Sequence, residues 1–406
     1  MSQAAIQQNL LSKTQMADEC RAELARTGRW WLDYSLDHEN GGFYGQICDD
    51  NKPDPAAEKG IVLNTRILWF FSEAARFSNN ADYRQAAERA YHYLRDYFFD
   101  TEFGGYYWSL NADGSVANDK KQVYAQAFGV YALVAYYQLT GEQQVLDDAL
   151  ACFELIECHC IDREQEGYFE AYTREWGKMD DVRLSEKDLN FPKTMNTHLH
   201  VLEAYTSLYQ VCKEERIEKA LAYNIDLFDR YMIDRGNYHL RMFMQDDWQD
   251  CSTELTYGHD IECAWLLYKA LQSLGDQTRT DKLVPDIIKL SHTCRREALG
   301  ELGEVLDSME KATGKVHSQR VWWVQAEALV GFLVAWKLSD EPVLFETAAN
   351  VWSFIKEYQM DTERGEWRWH CRLDEPDGAR DYKAGFWKGP YHNGRAMIEV
   401  AKLLAE

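Results

Sequence analysis

The chain has 406 residues, 46% of them hydrophobic, and carries 44 Lys and Arg against 67 Asp and Glu, a formal net charge of −23. Such a charge is repelled by phosphate backbones and by acidic lipid surfaces, so nucleic acid and membranes are excluded as expected partners. No Pro-, Gly- or Ser-rich linker interrupts the chain, and we therefore expect a single domain over residues 1–406.

The N-terminal residues, the apolar stretches and the cysteines indicate a soluble, cytoplasmic protein. Residues Met1 to Asn9 have neither the basic start nor the apolar core of a signal peptide. The longest strongly apolar stretch, Val321 to Trp336, is too short to span a membrane. Ten cysteines are scattered, and the one tight cluster, Cys158 to Cys160, lacks a second pair at zinc-site spacing. We expect reduced thiols, no metal site, and a monomer or weak homo-oligomer.

One motif recurs about every sixty-odd residues: an acidic turn that runs into glycine and then an aromatic residue. The copies are Asp37–Phe43, Asp100–Tyr106, Asp162–Tyr168, Asp234–Tyr238 and Asp361–Trp367. A degenerate copy, Gly300–Gly303, lies where the missing fifth is expected, and there the rim should differ most from the other units. Six copies of one unit predict a repeat fold.

Each unit pairs a mixed polar and apolar segment with a markedly apolar one. Ala81–Leu94 has the spacing of a surface helix, whereas Ile61–Phe71 and Val321–Leu333 are apolar nearly all round, as buried helices are. Six outer helices alternating with six inner ones predict an all-α, closed (α/α)6 barrel, with short β-hairpins and loops from the glycine turns at one rim. The same periodicity also permits an open α-solenoid.

Polar residues interrupt the inner helices at similar places, although a buried polar group costs free energy unless it is paired or used. In chain order these residues, with the tryptophans beside them, are Arg66, Tyr124, Gln126, Asn196, His200, His259, Glu262, Trp265, Trp322, Trp323, Gln325, Glu327, Trp387 and His392. One of them recurs at intervals of 60 to 70 residues in each unit: Arg66, Gln126, Asn196, His259, Gln325 and His392. We therefore expect a pocket at one end of the barrel axis. His198, two residues from His200, points to another face and is expected to be a packing residue.

Imidazoles with aromatic faces beside them suit proton transfer on a sugar. A base on one side of C2 of an open-chain aldose and an acid on the other invert that carbon through an enediolate, and a cation holds the developing oxyanion. His259 and His392 can address opposite faces, and Arg66 can hold the oxyanion. Glu262, one helical turn after His259, can orient it, and Pro390 places His392 in the first turn of a helix, where the dipole favours neutral imidazole. The two histidines are therefore expected to differ in protonation.

Six segments of the chain closely resemble the cellobiose 2-epimerases of the N-acylglucosamine 2-epimerase superfamily. They are Gly41–Gly45, Ile61–Trp69, Met195–His200, Gly258–Trp265, Trp322–Glu327 and Trp387–Arg395. The likeness runs through essentially the whole chain, and the last two segments are the most specific. It implies an (α/α)6 barrel and reversible inversion at C2 of the reducing-end glucose or mannose in β-1,4-linked disaccharides such as cellobiose, lactose or mannobiose. It also implies an isomerase that uses no metal or organic cofactor.

The resemblance also implies roles for individual residues. His259 and His392 would be the two C2 acid/bases, and His200 would assist ring opening and proton relay. Arg66 and Asn196 would hold the enediolate oxygens, and Glu262 would support His259. The residues expected to contact the sugar are Tyr124, Asp188, Trp322, Glu327 and Trp387.

Alternatives in three classes stay open at this point. Within the epimerase class, the chain could be a monosaccharide aldose–ketose isomerase or an N-acylglucosamine 2-epimerase. In another class, a glycoside hydrolase on the same fold would use two carboxylates among Asp188, Asp260, Glu262 and Glu327, separated by about 6.5–9.5 Å if it inverts. A non-catalytic sugar-binding scaffold is the third alternative.

Overall fold

The computed structural model describes residues 12–374 and 381–405. Met1–Asn9, whose sequence predicts no signal peptide, lies outside these residues. Twelve helices are described: α1 Lys13–Tyr34, α2 Ile61–Ser78, α3 Ala81–Tyr93, α4 Val123–Thr140, α5 Gln143–His159, α6 Met195–Val211, α7 Glu215–Leu227, α8 Tyr257–Leu274, α9 Gln277–Ala298, α10 Trp322–Ser339, α11 Pro342–Phe354 and α12 Tyr391–Leu403. Single π-helical turns continue three outer helices, at Leu94–Phe98, Phe228–Met232 and Ile355–Gln359.

The even-numbered helices form a closed inner ring. α2 packs on α4, α4 on α6, α6 on α8, α8 on α10, α10 on α12, and α12 returns to α2. The odd-numbered helices surround this ring, and α1, which packs on the inner helix α12, completes the outer layer. The predicted (α/α)6 barrel is confirmed, and the open solenoid is wrong. A single domain over residues 1–406 stays a prediction.

The amphipathic pattern explains which helices lie inside. The inner helices α4 and α10 are buried along almost their whole length, whereas the outer helix α7 buries one face, with Ile217, Leu221 and Ile225. Left-handed residues end several inner helices, such as Gly141 after α4 and Gly275 after α8, where glycine adopts a positive φ without strain. The core therefore fills the space between the two rings. Within the described residues, no helix has both the length and the apolar character needed to cross a bilayer.

Short strands lie at the end of the barrel at which the inner helices begin. They are β1 Ile47–Cys48, β2 Lys59–Gly60, β3 Ser109–Leu110, β4 Val116–Asn118, β5 Lys121–Gln122, β6 Ala171–Tyr172, β7 Lys193–Thr194, β8 Ile233–Asp234, β9 His239–Leu240, β10 Phe243–Met244, β11 Glu254–Thr256, β12 Ser308–Glu310, β13 Val316–His317 and β14 Tyr382–Ala384. All their pairings are antiparallel. Four of them, β2, β5, β7 and β11, run directly into an inner helix and so fix where its first turn lies.

The recurring glycine turn is a small antiparallel loop in every unit. Its closing pairs are Leu36 with Phe43, Phe99 with Tyr106, Ile161 with Tyr168, Ile233 with Leu240, Leu299 with Val305, and Met360 with Trp367. The fourth copy therefore aligns Leu240, not Tyr238, with the aromatic residues. The degenerate fifth copy keeps the pairing and places Val305 at that position, so the turn is retained although its sequence is not.

The first Asp of the turn forms a buried ion pair in four units. Lys59 Nζ lies 2.7 Å from Asp37, Lys121 Nζ 2.9 Å from Asp100, Lys193 Nζ 2.7 Å from Asp162, and Lys383 Nζ 2.6 Å from Asp361. The carboxylate also accepts backbone N–H groups inside its own turn, as Asp100 does from Glu102 and Phe103. In the fifth unit Arg320 pairs with Glu304 instead. In these five units the pairs tie the turn to the segment that precedes the next inner helix.

A second polar contact clamps the turn from the inner helix. Gln126 Oε1 accepts the N–H of Tyr106 at 2.8 Å and its Nε2 donates to the carbonyl of Tyr106 at 3.0 Å. Gln325 holds Val305 in the same two-bond manner. The prediction that Gln126 and Gln325 line the pocket with the histidines is therefore wrong, because both amides are fully used by the rim. Gly105 leaves room for this clamp: a Cβ there would lie 2.8 Å from Gln126 Oε1, and its φ is +73°.

In two further units, other residue types on the inner helix accept the backbone N–H of the turn. His198 Nε2 accepts the N–H of Tyr168 at 2.9 Å, and Asp260 Oδ1 accepts that of Leu240 at 2.8 Å. The other ring nitrogen of His198, Nδ1, lies 2.6 Å from the carbonyl of Thr194. His198 is thus a structural residue, as its position relative to His200 suggests.

Candidate active site

The first two turns of the inner helices bring most of the predicted site residues together at the mouth of the barrel. Arg66, in the second turn of α2, is 3% exposed. Its Nη2 donates to the hydroxyl of Tyr124 at 2.7 Å, and its Nη1 donates to the carbonyl of Trp387 at 2.8 Å. The guanidinium also lies over the Phe128 ring, 4.7 Å from its centre. A fixed positive charge therefore joins the first, second and sixth units.

His392 is the second residue of α12 and is held by a carboxylate of the neighbouring unit. Its Nδ1 lies 2.6 Å from Glu327 Oε1. Arg395 Nη2 also donates to Glu327 Oε1, at 2.7 Å, and the indole N–H of Trp265 donates to Oε2 at 3.0 Å. With these donors around it the carboxylate acts as an acceptor, so Nδ1 of His392 carries the proton and Nε2 keeps its lone pair.

His259, the other predicted acid/base, has a different partner. Its Nδ1 lies 3.1 Å from the hydroxyl oxygen of Thr256, at the end of β11. Its ring centre lies 4.8 Å from that of Trp323, and the same indole lies 5.7 Å from the ring of His392. Trp323, which is not among the residues expected to contact the sugar, is thus in contact with both imidazoles.

Burial determines the charge state of the histidines. Burial lowers the pKa of His259 to about 3, and proximity to His200 adds to this effect. The pKa of His392 falls well below its usual value because of burial first and then the charges of Arg66 and Arg395. Both imidazoles are therefore neutral in the free protein. The expected difference in protonation between them is not present, and they differ in hydrogen-bond partner instead.

His200 packs against the rings of Tyr124 and Phe128. The ring centres of these two residues are 4.8 and 4.7 Å away. Its Nδ1 lies 3.1 Å from Glu203 Oε2, one turn later in α6, and burial lowers its pKa. Glu203 also accepts hydrogen bonds from Tyr391, at 2.6 Å, and from Arg395. His200 thus belongs to a histidine–carboxylate pair of its own.

The sequence predicts that Glu262 supports His259. In the structure Glu262 does not contact His259, and its Oε1 accepts a hydrogen bond from Arg395 Nη2 at 2.7 Å. Its Oε1 lies 4.0 Å from Nδ1 of His392, on the far side of the cluster. Although one helical turn separates residues 259 and 262, the carboxylate follows the stronger attraction to a buried guanidinium. Burial and repulsion from Glu327 raise the pKa of Glu262.

Arg395 is the residue that the sequence prediction missed. It is 1% exposed and donates to Glu203, Glu262 and Glu327, one carboxylate from each of three other inner helices. It stands at the end of the Trp387–Arg395 segment, and four residues after Tyr391. A buried arginine in an inner helix signals a set of carboxylate partners, but their identity depends on the closure of the ring.

The remaining predicted residues have varied surroundings. Trp322 is buried, with its ring centre 4.4 Å from that of Trp369, and its indole N–H has no protein partner among the described residues. Trp387 is half-buried beside Trp108, at 5.9 Å between ring centres. Asn196 is half-buried at the second position of α6. Asp188 lies in the loop between β6 and β7, where it accepts the N–H of Ser185 at 2.8 Å, so the structure does not join it to the histidines.

Glu262, Glu327 and His392 present ligand atoms within 4.8 Å of one another. Arg395 Nη2 donates to both carboxylates at 2.7 Å. A metal ion between these groups would therefore have to displace a guanidinium that already neutralises them. The cluster is better described as an ion-paired network than as a metal centre.

Comparison with known proteins places the chain among sugar-modifying enzymes. Residues 42–396 match the model of the N-acylglucosamine 2-epimerase family. The cellobiose 2-epimerase of Bacteroides fragilis is 43% identical over 371 residues, which are 91% of this chain and 94% of that protein. The chain belongs to the N-acylglucosamine 2-epimerase family. It is an enzyme of the carbohydrate epimerase and isomerase class, and the predicted resemblance to cellobiose 2-epimerases is confirmed.

Other members of the family extend the likeness to the whole fold. The cellobiose 2-epimerase of Ruminococcus albus is 37% identical, over 95% of this chain and 98% of that protein. The solved structure of cellobiose 2-epimerase from Bacillus thermoamylovorans B4167 superposes with a TM-score of 0.89, at 37% identity, and covers 96% of this chain and 99% of that one. The inner-ring positions described above therefore lie in a framework that this family shares.

Proposed function

We propose that this enzyme reversibly epimerises C2 of the reducing-end glucose or mannose in β-1,4-linked disaccharides such as cellobiose, lactose and mannobiose. The observation that carries the proposal is a pair of neutral imidazoles, His259 and His392, in contact with one indole, that of Trp323. The names of the relatives support the disaccharide substrate. The reaction draws on the chain's own acids, bases and charges and includes no metal or organic cofactor.

Proton transfer at C2 proceeds through the open-chain sugar. His200 assists ring opening, since its Nδ1 is engaged by Glu203 and Nε2 is left to exchange a proton. One of the two acid/base histidines then removes the C2 proton, and the electron pair forms the C1–C2 double bond while the carbonyl oxygen becomes an enediolate oxygen. Arg66 and Asn196 hold the enediolate oxygens, as a fixed cation and an amide beside a developing negative charge should. The other histidine returns a proton to the opposite face of C2.

The histidine that returns the proton has to gain one when substrate binds, because both imidazoles are neutral before. His392 takes this proton from solvent, and Glu327, 2.6 Å from its Nδ1, remains the carboxylate that pairs with the imidazolium. With one shared proton, the two residues leave a lone pair on Nε2 and act as a base. With a second proton, Nε2 becomes the donor. Reversal of the reaction exchanges these roles between His392 and His259.

Aromatic groups at the mouth suit the apolar faces of the two sugar rings. Trp323 lies between the histidines and would contact the reacting sugar. Trp108, Phe386 and Trp387 form a second aromatic group, with ring centres 5.0 to 5.9 Å apart, above Tyr124. This group would contact the second sugar of a disaccharide, together with Trp322 and with Asp188 from its loop.

The hydrolase alternative fits the carboxylates poorly. Glu262 and Glu327 both hydrogen-bond Arg395, and neither is more than 2% exposed. Asp260 Oδ2 lies 2.6 Å from Nδ1 of His239, and Asp260 Oδ1 accepts the backbone N–H of Leu240 in the rim. A general acid and a water-activating base on either side of a glycosidic bond need free carboxyl groups, which these residues do not offer.

Product analysis by NMR in deuterated water tests the proposal. Cellobiose, lactose, mannobiose, glucose and N-acetylglucosamine are supplied separately to the purified enzyme. We expect each disaccharide to yield its C2 epimer with deuterium at C2, and the monosaccharides to react far more slowly. Release of free glucose from cellobiose would identify a hydrolase, and turnover confined to N-acetylglucosamine or to glucose would identify the corresponding monosaccharide enzyme.

A further inference from the structure

Two histidine–carboxylate pairs lie in the inner ring, and one arginine contacts both. The His200 pair consists of His200 and Glu203, with 3.1 Å between Nδ1 and Oε2. The His392 pair consists of His392 and Glu327, with 2.6 Å between Nδ1 and Oε1. Arg395 Nη1 donates to Glu203, and its Nη2 donates to Glu327 at 2.7 Å. A continuous chain of hydrogen bonds therefore runs from one imidazole to the other.

We propose that Arg395 is a positioning residue that couples the His200 pair to the His392 pair, so that one guanidinium fixes the tautomer of both imidazoles. The proposal rests on the epimerase function given above, in which the Nε2 atoms of both histidines face the substrate. Arg395 itself does not act on the sugar, because it is 1% exposed and its polar contacts are to protein.

The geometry determines the direction of each hydrogen bond. An arginine can only donate, so every carboxylate oxygen that it contacts is an acceptor. Tyr391 adds a further donated bond to Glu203 Oε2, at 2.6 Å. The imidazole nitrogen that meets such an oxygen has to be the protonated one. Both pairs are thereby set to the Nδ1–H form, and in each the lone pair is on Nε2.

Charge supports this arrangement. Burial opposes ionisation of Glu203, but the charge of Arg395 and the hydrogen bonds of His200 and Tyr391 lower its pKa to about 2. Glu203 therefore remains an anion and an acceptor at neutral pH. Arg395 also lowers the pKa of Glu327, against the larger effect of burial, which raises it. Without the guanidinium, Glu327 would take up a proton more readily, and the Nδ1–H tautomer of His392 would no longer be imposed.

His259 is not part of the coupled set and serves as an internal reference. Its Nδ1 meets the hydroxyl of Thr256, a group that both donates and accepts, at 3.1 Å. Changing Arg395 should therefore leave the tautomer of His259 as it was. A purely structural role for Arg395 would predict equal disturbance of all three histidines.

Nitrogen-15 NMR of the full-length enzyme with labelled histidine measures the tautomers directly, without substrate. We expect wild-type His200 and His392 to show protonated Nδ1 and unprotonated Nε2. In Arg395→Met both should change to mixed tautomers while His259 is unaffected. A folded Arg395→Met protein in which neither histidine changes, or only His392, would overturn the coupling.

A second variant keeps the test decisive if Arg395→Met does not fold. Glu203→Gln removes a charge that has no hydrogen bond to His392 in the described structure, yet the coupling predicts a changed His392 signal. An unchanged signal would overturn it. Lys59→Met is the matched control, because it removes an equally buried ion pair, with Asp37, at the rim. It should lower stability and leave all three tautomers as in the wild type.

Kinetics connect the coupling to turnover. We expect Arg395→Met or Arg395→Lys to lower kcat for epimerisation by roughly 100-fold with KM changed by less than about threefold, since positioning acts on the chemical step. A rise in KM with kcat unchanged would contradict the positioning role. If the wild-type protein epimerises no sugar but the NMR coupling is observed, the proposed function fails and the coupling stands.

Discussion

His198 and His200 lie two residues apart on α6 and belong to two different regions, the rim and the mouth of the barrel. Both are buried, and burial lowers the pKa of both. His198 bonds to backbone groups of its own unit, at Tyr168 and Thr194, and uses both ring nitrogens there. His200 bonds to Glu203, which Arg395 links to three other helices of the ring. From this comparison we expect a buried polar residue with local backbone partners to hold the fold, and one joined to distant side chains to serve the site.

The largest expected effect concerns the mouth. His392→Ala and His259→Ala should each lower the rate of epimerisation by at least about 1,000-fold, because each removes an acid/base that the reaction requires. Turnover of cellobiose by NMR and thermal unfolding by circular dichroism measure the two consequences separately. Near-wild-type turnover in either variant would contradict the two-histidine mechanism.

Arg66→Ala should come next, with a loss of roughly 100- to 1,000-fold in kcat, since a preorganised charge at the enediolate oxygen is removed. Steady-state kinetics on cellobiose measure it. The expected loss is in kcat. An effect confined to KM would mean that Arg66 binds the sugar and does not stabilise the enediolate.

The rim should respond in stability and not in catalysis. His198→Ala leaves the N–H of Tyr168 without its acceptor and should cost about 1–3 kcal/mol of unfolding free energy, with kcat nearly unchanged. His198→Gln is the matched control, because glutamine already performs this task at Gln126 and Gln325. We expect it to recover most of the loss in urea unfolding. Equal instability of the two variants would mean that the clamp is not what His198 contributes.

The smallest expected effect concerns the pH dependence of the reaction, in which the usual inflection of a histidine should be absent. Because burial lowers the pKa of His259 and His392, the neutral form of each persists as the pH falls below the usual histidine value of about 6.5. The profile of kcat/KM should therefore contain no inflection with its midpoint near pH 6.5, because neither histidine of the free enzyme changes its protonation there. A limb with its midpoint near 6.5 would show that an ordinary, solvated histidine controls the reaction.

The rim also shows how far sequence alone leads to the fold. The spacing of the glycine turns predicts six units and the closed double ring, because each turn must end one helix and lead into the next. It misassigns the fourth copy to Tyr238, since chain spacing does not say which residue pairs across the turn, and the structure pairs Leu240. The fifth copy keeps its pairing after the glycine-aromatic sequence has faded, because Gln325 still holds Val305.

The residues of the mouth could be predicted one by one, but the hydrogen bonds between them could not. Resemblance to a family located Arg66, His200, His259 and His392, and the structure brings them together. Repeat spacing wrongly added Gln126 and Gln325, because residues two apart on a helix face different directions and the spacing does not distinguish them. Arg395 was missed because its importance depends on carboxylates 68 to 192 residues away in the chain. Such partners become visible when the ring has closed.

The central claim, proton transfer by two histidines on opposite faces of C2, is tested most directly by the position of label in early turnover. Cellobiose is incubated with the wild-type enzyme in deuterated water, and C2 of both epimers is followed by NMR before equilibrium. We expect deuterium at C2 of the product epimer while the remaining cellobiose keeps its C2 hydrogen, because a different imidazole serves each face. Equal early labelling of both epimers, or product without label, would contradict the account.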